Sequence, residues 1–245
     1  MIAAQPLLLA LTAVALVALL APQEPGFVVR HSGAPLSGLL QAESEEWERS
    51  LAVTWGPAPY PTEFRALYTS AGLAVRFAAV DDAPWHTLGE RDDPIWNEEV
   101  VEIFIDPDGD GRNYVEIELN PAGVVCDLQI FAAGPPLRSA ISWDFAGLET
   151  RVSPLRDGAG TTVGWTVTAT LPWAGFAALD DTAVTLPPVP GDRWKFNVFR
   201  IKRPGGPGDP ERGVILAPWS PTPGPSFHAP AAFRDLVFGA AVSGR

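Results

Sequence analysis

Apolar and polar residues alternate along much of this chain with a period of two, the signature of strands that bury one face. Leu73, Val75, Phe77 and Ala79 interleave with Ala74, Arg76 and Ala78, and Val163, Trp165, Val167, Ala169 and Leu171 with Thr166, Thr168 and Thr170. Val124, Cys126, Leu128 and Ile130 form a third series against Val125, Asp127 and Gln129, and Arg193 to Ile201 and Leu236 to Phe238 add further β-rich runs. No long amphipathic helix is written in the pattern; Ser44 to Leu51 and Trp173 to Leu179 are each long enough for a couple of turns. Short strands divided by Gly/Pro turns predict an all-β fold, an antiparallel β-sandwich of two sheets with a jelly-roll-like layout. Trp165, Trp173 and Trp194 fall on regular strand or turn positions and are read as core, and Cys126 as a core thiol.

Two strands flanking an acidic turn make the most informative stretch, from Trp96 to Asn120. Val101, Ile103 and Ile105 share one face of the first strand, and Val115, Ile117 and Leu119 one face of the second. Burying both sets together requires a register such as Ile105 opposite Val115. The same register brings Glu102 and Phe104 beside Glu116 and Glu118 on the other face. Like charges across strands repel and need a cation, an Arg or hydroxyl donors to balance them. Three readings stand open for this cluster. It is a solvated outer face, a catalytic pair at the ~5 Å spacing of retaining glycosidases, or a binding face whose carboxylates take sugar hydroxyls while an aromatic ring stacks on the pyranose.

Composition and charge narrow the partners. With 17 Lys+Arg against 29 Asp+Glu, a formal charge of -12, the field repels phosphate backbones and anionic lipid, so nucleic acid is not expected as a partner. The 26 Pro and 23 Gly reinforce the turn-rich reading. One cysteine excludes an internal disulfide and any multi-cysteine metal site, and His31, His86 and His228 are too scattered to form a ligand cluster. His228 reads as a structural hydrogen-bonder; a hydrolase triad has no Ser/Asp pattern to support it. Leu7 to Ala21 is a near-continuous aliphatic run ending at Pro22-Gln23-Glu24-Pro25, so residues 1–25 are expected to be a signal peptide or N-terminal anchor and residues 26–245 one domain. Export to the periplasm, the cell surface or the medium follows from that reading.

Asp106-Pro-Asp-Gly-Asp-Gly111 imitates the opening of a calcium loop, but Ile117 stands twelfth where a bidentate Glu belongs. Asp106, Asp108 and Asp110 are either weak calcium ligands or a plain acidic turn. Asn113 and Asn120 read as turn and strand-end residues, with ligand contact the alternative. Trp96 and Trp219 sit beside Pro- and Asn-rich loops, where a large aromatic calls for a ligand-contact explanation.

Taken in order, Glu46-Trp47, Leu67-Tyr68, Gly72 to Phe77, the Trp96 to Asn120 hairpin, Gly164-Trp165, Leu171-Pro172-Trp173, Gly191-Asp192-Arg193-Trp194, Asn197 to Arg200, Trp219-Ser220-Pro221 and Phe227-His228 resemble carbohydrate-binding module family 9 and the related family-9-like domains. The resemblance spans most of the chain. It implies a β-sandwich that holds a sugar, often at a reducing chain end, between two tryptophans with carboxylate, amide and basic groups around its hydroxyls. By similarity Trp96 is the first clamp residue, Glu102 the hydroxyl-binding carboxylate and Trp219 the second wall. The resemblance also raises structural calcium. Where such modules place a basic residue after the hairpin turn, this chain has Glu116, and Arg200 is the candidate to supply the missing cation.

The resulting expectation is an exported, monomeric, non-catalytic protein that grips a saccharide chain end through Trp96, Glu102, Glu116, Arg200, Trp219 and Asn113, serving polysaccharide catabolism and needing no cofactor. The alternatives are a glycoside hydrolase built on Glu102 with Glu116 or Glu118, and a calcium-binding surface interaction domain.

Overall fold

The computed structural model describes residues 26–241; the expected export segment at residues 1–25 lies outside them. Thirteen strands dominate: β1 (Phe27–His31), β2 (Ala52–Trp55), β3 (Thr62–Tyr68), β4 (Gly72–Val80), β5 (Val100–Asp106), β6 (Tyr114–Leu119), β7 (Val125–Ala132), β8 (Arg138–Ala140), β9 (Glu149–Arg156), β10 (Thr162–Pro172), β11 (Arg193–Lys202), β12 (Ile215–Pro218) and β13 (Arg234–Ala241). Among the described residues helix is confined to α1 (Trp173–Phe176) and four short 3-10 turns; α1 and the turn Glu45–Arg49 fall in the two stretches able to form a couple of turns. No helix among the described residues is long and apolar enough to cross a membrane.

Hydrogen bonds join the strands in one continuous path, β8-β7-β6-β5-β11-β13-β1-β3-β4-β10-β9, with β12 branching from β11 and β2 from β3. The path curls so that its two halves face each other. A single apolar cluster takes Val101, Ile103, Ile105 and Ile117 from one half and Phe64, Val75, Phe77 and Val167 from the other. Phe64 and Phe196 meet across it with ring centroids 5.9 Å apart. The two facing layers have the character of a sandwich, but the expectation of two antiparallel sheets is corrected: one mixed sheet curls on itself, and within it β1 runs parallel to both β13 and β3. Parallel neighbours cannot be joined by a hairpin; here the first strand of the described chain is inserted beside its last. Trp165, Trp173 and Trp194 are buried as expected.

Two features of this layout position the site. The β5–β6 register is the one that apolar parity requires, with Ile105 opposite Val115, Ile103 opposite Ile117 and Glu102 opposite Glu118. Strand β11 lies along the other edge of β5, placing Phe199 opposite Glu102 and Arg200 opposite Val101. Because side chains alternate between faces, Phe199 joins the outer face with the carboxylates, whereas Arg200 joins the inner face.

Arg200 accordingly belongs to a buried ionic network between the layers. Its Nη2 donates to Asp81 Oδ2 at 2.6 Å, and Lys202 Nζ donates to Asp81 Oδ1 at 2.7 Å and to Glu99 Oε1 at 2.6 Å. Arg200 Nη1 also donates to the Thr62 hydroxyl at 3.3 Å, tying β11 to β3. Burial drives the Asp81 pKa upward, but hydrogen bonding and the charges of Lys202 and Arg200 outweigh it and hold that carboxyl below its ordinary value. Burial wins at Glu99, pushed up to about 8 despite the Lys202 hydrogen bond.

Candidate functional site

On the outer face of β5, β6 and β7 lies a pocket of about 540 Å³, within the roughly 300–1,000 Å³ range of small-molecule sites. Glu102, Phe104, Glu116, Glu118 and Leu128 line it along the strands. Trp96 stands beside them, while Phe227 and His228, from the loop between β12 and β13, contribute the remaining aromatic surface. Leu137, Ile141 and Leu216 line it too, and all three are exposed, at 43 %, 39 % and 44 %. Isolated exposed aliphatics need no explanation, but three gathered on one concave rim mark a contact surface.

Each wall is held by backbone-level constraints. Trp96 lies in the 3-10 turn Ile95–Asn97, anchored by buried Ile95 beneath it. The Glu98 carboxylate accepts the N–H groups of Thr87 and Leu88 and the Thr87 hydroxyl, which fixes the incoming loop. Arg203 closes the turn from the other side, donating to the carbonyls of Glu98 and Trp96 at 3.1 and 3.3 Å. Opposite, Phe227 stacks on Phe199 with centroids 4.3 Å apart and planes at 20°. His228 stacks on Phe104 at 5.2 Å, and its Nδ1 shares a 2.9 Å hydrogen bond with the Tyr114 hydroxyl.

Glu102, Glu116 and Glu118 are only 2 %, 6 % and 2 % exposed. Each presents an oxygen within 4.8 Å of the other two. Burial raises all three carboxyl pKa values, and their mutual repulsion raises Glu102 and Glu118 further. Glu116 is pushed up to about 7 by burial, partly relieved by its hydrogen bond with Glu118. His228 Nε2 lies 3.8 Å from Glu116 Oε2, but burial lowers the imidazole to about 4, so the pair is not an ion pair at neutral pH. The cluster thus retains protons where ordinary carboxyls have lost theirs, and its groups both donate and accept hydrogen bonds.

This arrangement has a stability signature. A carboxyl whose folded pKa exceeds its unfolded value favours folding at low pH and loses that contribution as pH rises from the unfolded value through the folded one. Between about pH 5 and 7 the cluster is therefore expected to destabilise the fold progressively, each proton contributing at most about 1.4 kcal/mol per pH unit. Urea unfolding across that window should show a shallower loss for Glu116→Gln than for the parent; equal slopes would contradict the assignment. Below pH 6.5 neutral His228 acts in the opposite direction, costing stability as pH falls toward 4.

The other sequence candidates are placed elsewhere. Trp219 does not reach the pocket. Pro218 sits opposite Phe199 in the β11–β12 ladder and the Trp219 N–H bonds to the Val198 carbonyl, so parity turns the indole to the inner side. There it packs on Phe196 with centroids 5.2 Å apart, and the Arg234 guanidinium lies 5.2 Å over its ring. Arg200 is turned inward by the same parity and balances Asp81 rather than Glu102 or Glu116. Asn113 occupies a left-handed turn position at φ 49°, outside the lining, and its carbonyl accepts from the Thr182 hydroxyl at 3.4 Å.

Asp106, Asp108 and Asp110 do converge to within 4.8 Å. Asp106 accepts the N–H groups of Gly109 and Gly111, Asp108 those of Asp110 and Ala183, and Asp110 that of Arg112. These bonds hold the turn through its own backbone, and three carboxylates supply part of the six to eight oxygens calcium takes, the rest of which backbone carbonyls or water would supply.

Phe227 and His228 supply the wall that Trp219 does not, although His228 reads from sequence only as a structural group. Their one signal is an aromatic pair in a Pro/Gly-rich loop, and nothing local tells which face such a loop covers. Leu137, Ile141 and Leu216 carry no signal of their own.

Comparison with known proteins bears on this geometry. No curated protein matches the chain. Among solved structures, a carbohydrate binding module family 9 from Caldicellulosiruptor kristjanssonii in complex with cellotriose aligns at TM-score 0.60 and 12% identity, covering 88% of this chain and 94% of that one. The module from the same organism in complex with glucose aligns at TM-score 0.62 and 12% identity, covering 89% and 98%. A Bacteroides uniformis ATCC 8492 protein to which carbohydrate binding has been provisionally ascribed aligns at TM-score 0.62 and 18% identity, covering 87% and 100%. At such identities the alignments establish the shared fold. The sequence model for carbohydrate-binding family 9 matches residues 35–238, most of the length, and on that match the chain belongs to carbohydrate-binding family 9.

Proposed function

We propose that this protein holds a saccharide, most simply a chain end, in the pocket between Trp96 and the Phe227–His228 loop, without chemical turnover. The observation that carries this reading is the juxtaposition of Glu102, Glu116 and Glu118 with the aromatic side chains of Trp96, Phe104, Phe227 and His228 in one pocket. Sugars present hydroxyls around the ring edge and C–H groups on its faces, so they match a surface that mixes hydrogen-bonding carboxyls with flat apolar walls. Family membership and the saccharide complexes of the related modules support the same ligand class.

In this reading Glu102 and Glu116 bind hydroxyls, Glu118 completes their set, and Trp96 supplies a stacking face. The protein works as an exported monomer in polysaccharide catabolism, with the aliphatic segment at residues 1–25 directing export and no metal required. An open pocket must offset sugar desolvation and lost ligand freedom, so dissociation constants of roughly micromolar or weaker are expected.

Calorimetry against a panel of mono- and oligosaccharides, paired with a reducing-end assay on the same mixtures, tests the reading. Saturable heats without new reducing ends are the expected result. Turnover lost in Glu102→Gln would replace the binding role with hydrolysis by a cross-strand carboxylate pair.

A further inference from the structure

The charge balance of the pocket is one-sided. Its lining holds three carboxyl side chains and neither a Lys nor an Arg. Glu118 Oε2 is buried without a hydrogen-bond partner in a residue only 2 % exposed, so one polar atom of the cluster is left for something the protein does not supply. Around the cluster stand Tyr114 on β6, Cys126 on β7 and His228 on the loop before β13. Burial raises the first two pKa values, and the neighbouring carboxylates add to that effect. It also keeps His228 uncharged near neutrality. Asp92 and Asp106 add negative charge, felt at Cys126 and Tyr114 respectively. Among the described residues lining the pocket, none carries a positive charge near neutrality.

A neutral sugar satisfies the hydrogen-bonding capacity of these carboxyls but does nothing for their repulsion. An ammonium group brings three donors and one positive charge, and buried carboxylates are stable when so paired. The partly buried aromatic rings of Trp96 and Phe227 at the same pocket favour a cation as well. We infer that the pocket prefers a saccharide bearing a free amino group, with its ammonium seated among Glu102, Glu116 and Glu118. The inference rests on the saccharide reading and sharpens it to one substrate class, exemplified by glucosamine and deacetylated chitin oligomers. It carries a linkage consequence: the bound cation favours ionised carboxylates, so binding releases protons held by the cluster.

The test is calorimetry at pH 7 with glucose, N-acetylglucosamine, glucosamine and the matching cello-, chito- and chitosan oligomers. Each titration is repeated in two buffers of different ionisation enthalpy. The amino sugars are expected to bind at least tenfold more tightly than their neutral counterparts, with proton release seen for them alone. Glu116→Gln, which keeps the side-chain shape, should cut that preference at least fivefold; a thermal melt confirms that it folds. Equal affinity for charged and neutral sugars without proton release overturns the inference and leaves the saccharide reading standing. Silence toward every sugar overturns both. Calcium chloride that binds alone and depends on Glu116, with no response to glucosamine, also overturns it.

Discussion

Asp81→Ala is expected to lower unfolding stability by about 3–5 kcal/mol, the penalty for stranding buried charge. Asp81 is 3 % exposed, and Arg200 and Lys202 are each 1 % exposed. Removing the carboxylate leaves the guanidinium with only neutral acceptors, among them the Thr62 hydroxyl, and leaves the ammonium with Glu99, a carboxyl that burial keeps partly protonated near neutrality. The network also joins the end of β4 to β11, so its loss loosens the contact between the two layers. Urea unfolding at neutral pH measures the effect. The surface pair Arg212–Asp209, with side chains 71 % and 60 % exposed, provides the contrast: Asp209→Ala should cost under about 1 kcal/mol. Comparable losses from both substitutions would show that the buried network has no special role.

Trp96→Ala is expected to weaken saccharide binding by about 2 kcal/mol or more, ~30-fold, the scale for truncating a tryptophan at the centre of a contact. The fold should tolerate the change. Trp96 is only partly buried, while the turn that carries it is anchored separately by Ile95 and by the Glu98 and Arg203 hydrogen bonds. Trp219→Ala, by contrast, should act through stability, since its ring packs on Phe196 and under Arg234. A binding loss confined to Trp219→Ala would invert the site assignment.

What sequence could reveal of this site divides along physical lines. The hairpin was legible because two apolar triplets on adjacent strands admit only registers of one parity, and that parity sends Glu102, Glu116 and Glu118 to the other face. The pairing of β11 with β5 obeys no such local constraint. Arg200 and Phe199 are neighbours in sequence, and a shift of one residue would have exchanged their faces; the observed register turns the cation inward. The same uncertainty governs Trp219, whose orientation follows from Pro218 lying opposite Phe199. Parallel pairing joins β1 to β13 from nearly the other end of the described chain, with Phe27 opposite Leu236, and to β3, with Arg30 opposite Leu67; alternation within a five-residue strand says nothing about such neighbours. The wall formed by Phe227 and His228 depends on a loop draped over β11 and β5, a tertiary contact with no periodic signal.

A crystal structure of the protein with a bound oligosaccharide tests the central claim most directly. The terminal ring should lie in the pocket against Trp96, facing Phe227 and His228, with its polar groups within hydrogen-bond distance of Glu102, Glu116 or Glu118. A sugar seated on another surface, with the three carboxyls untouched, would contradict it.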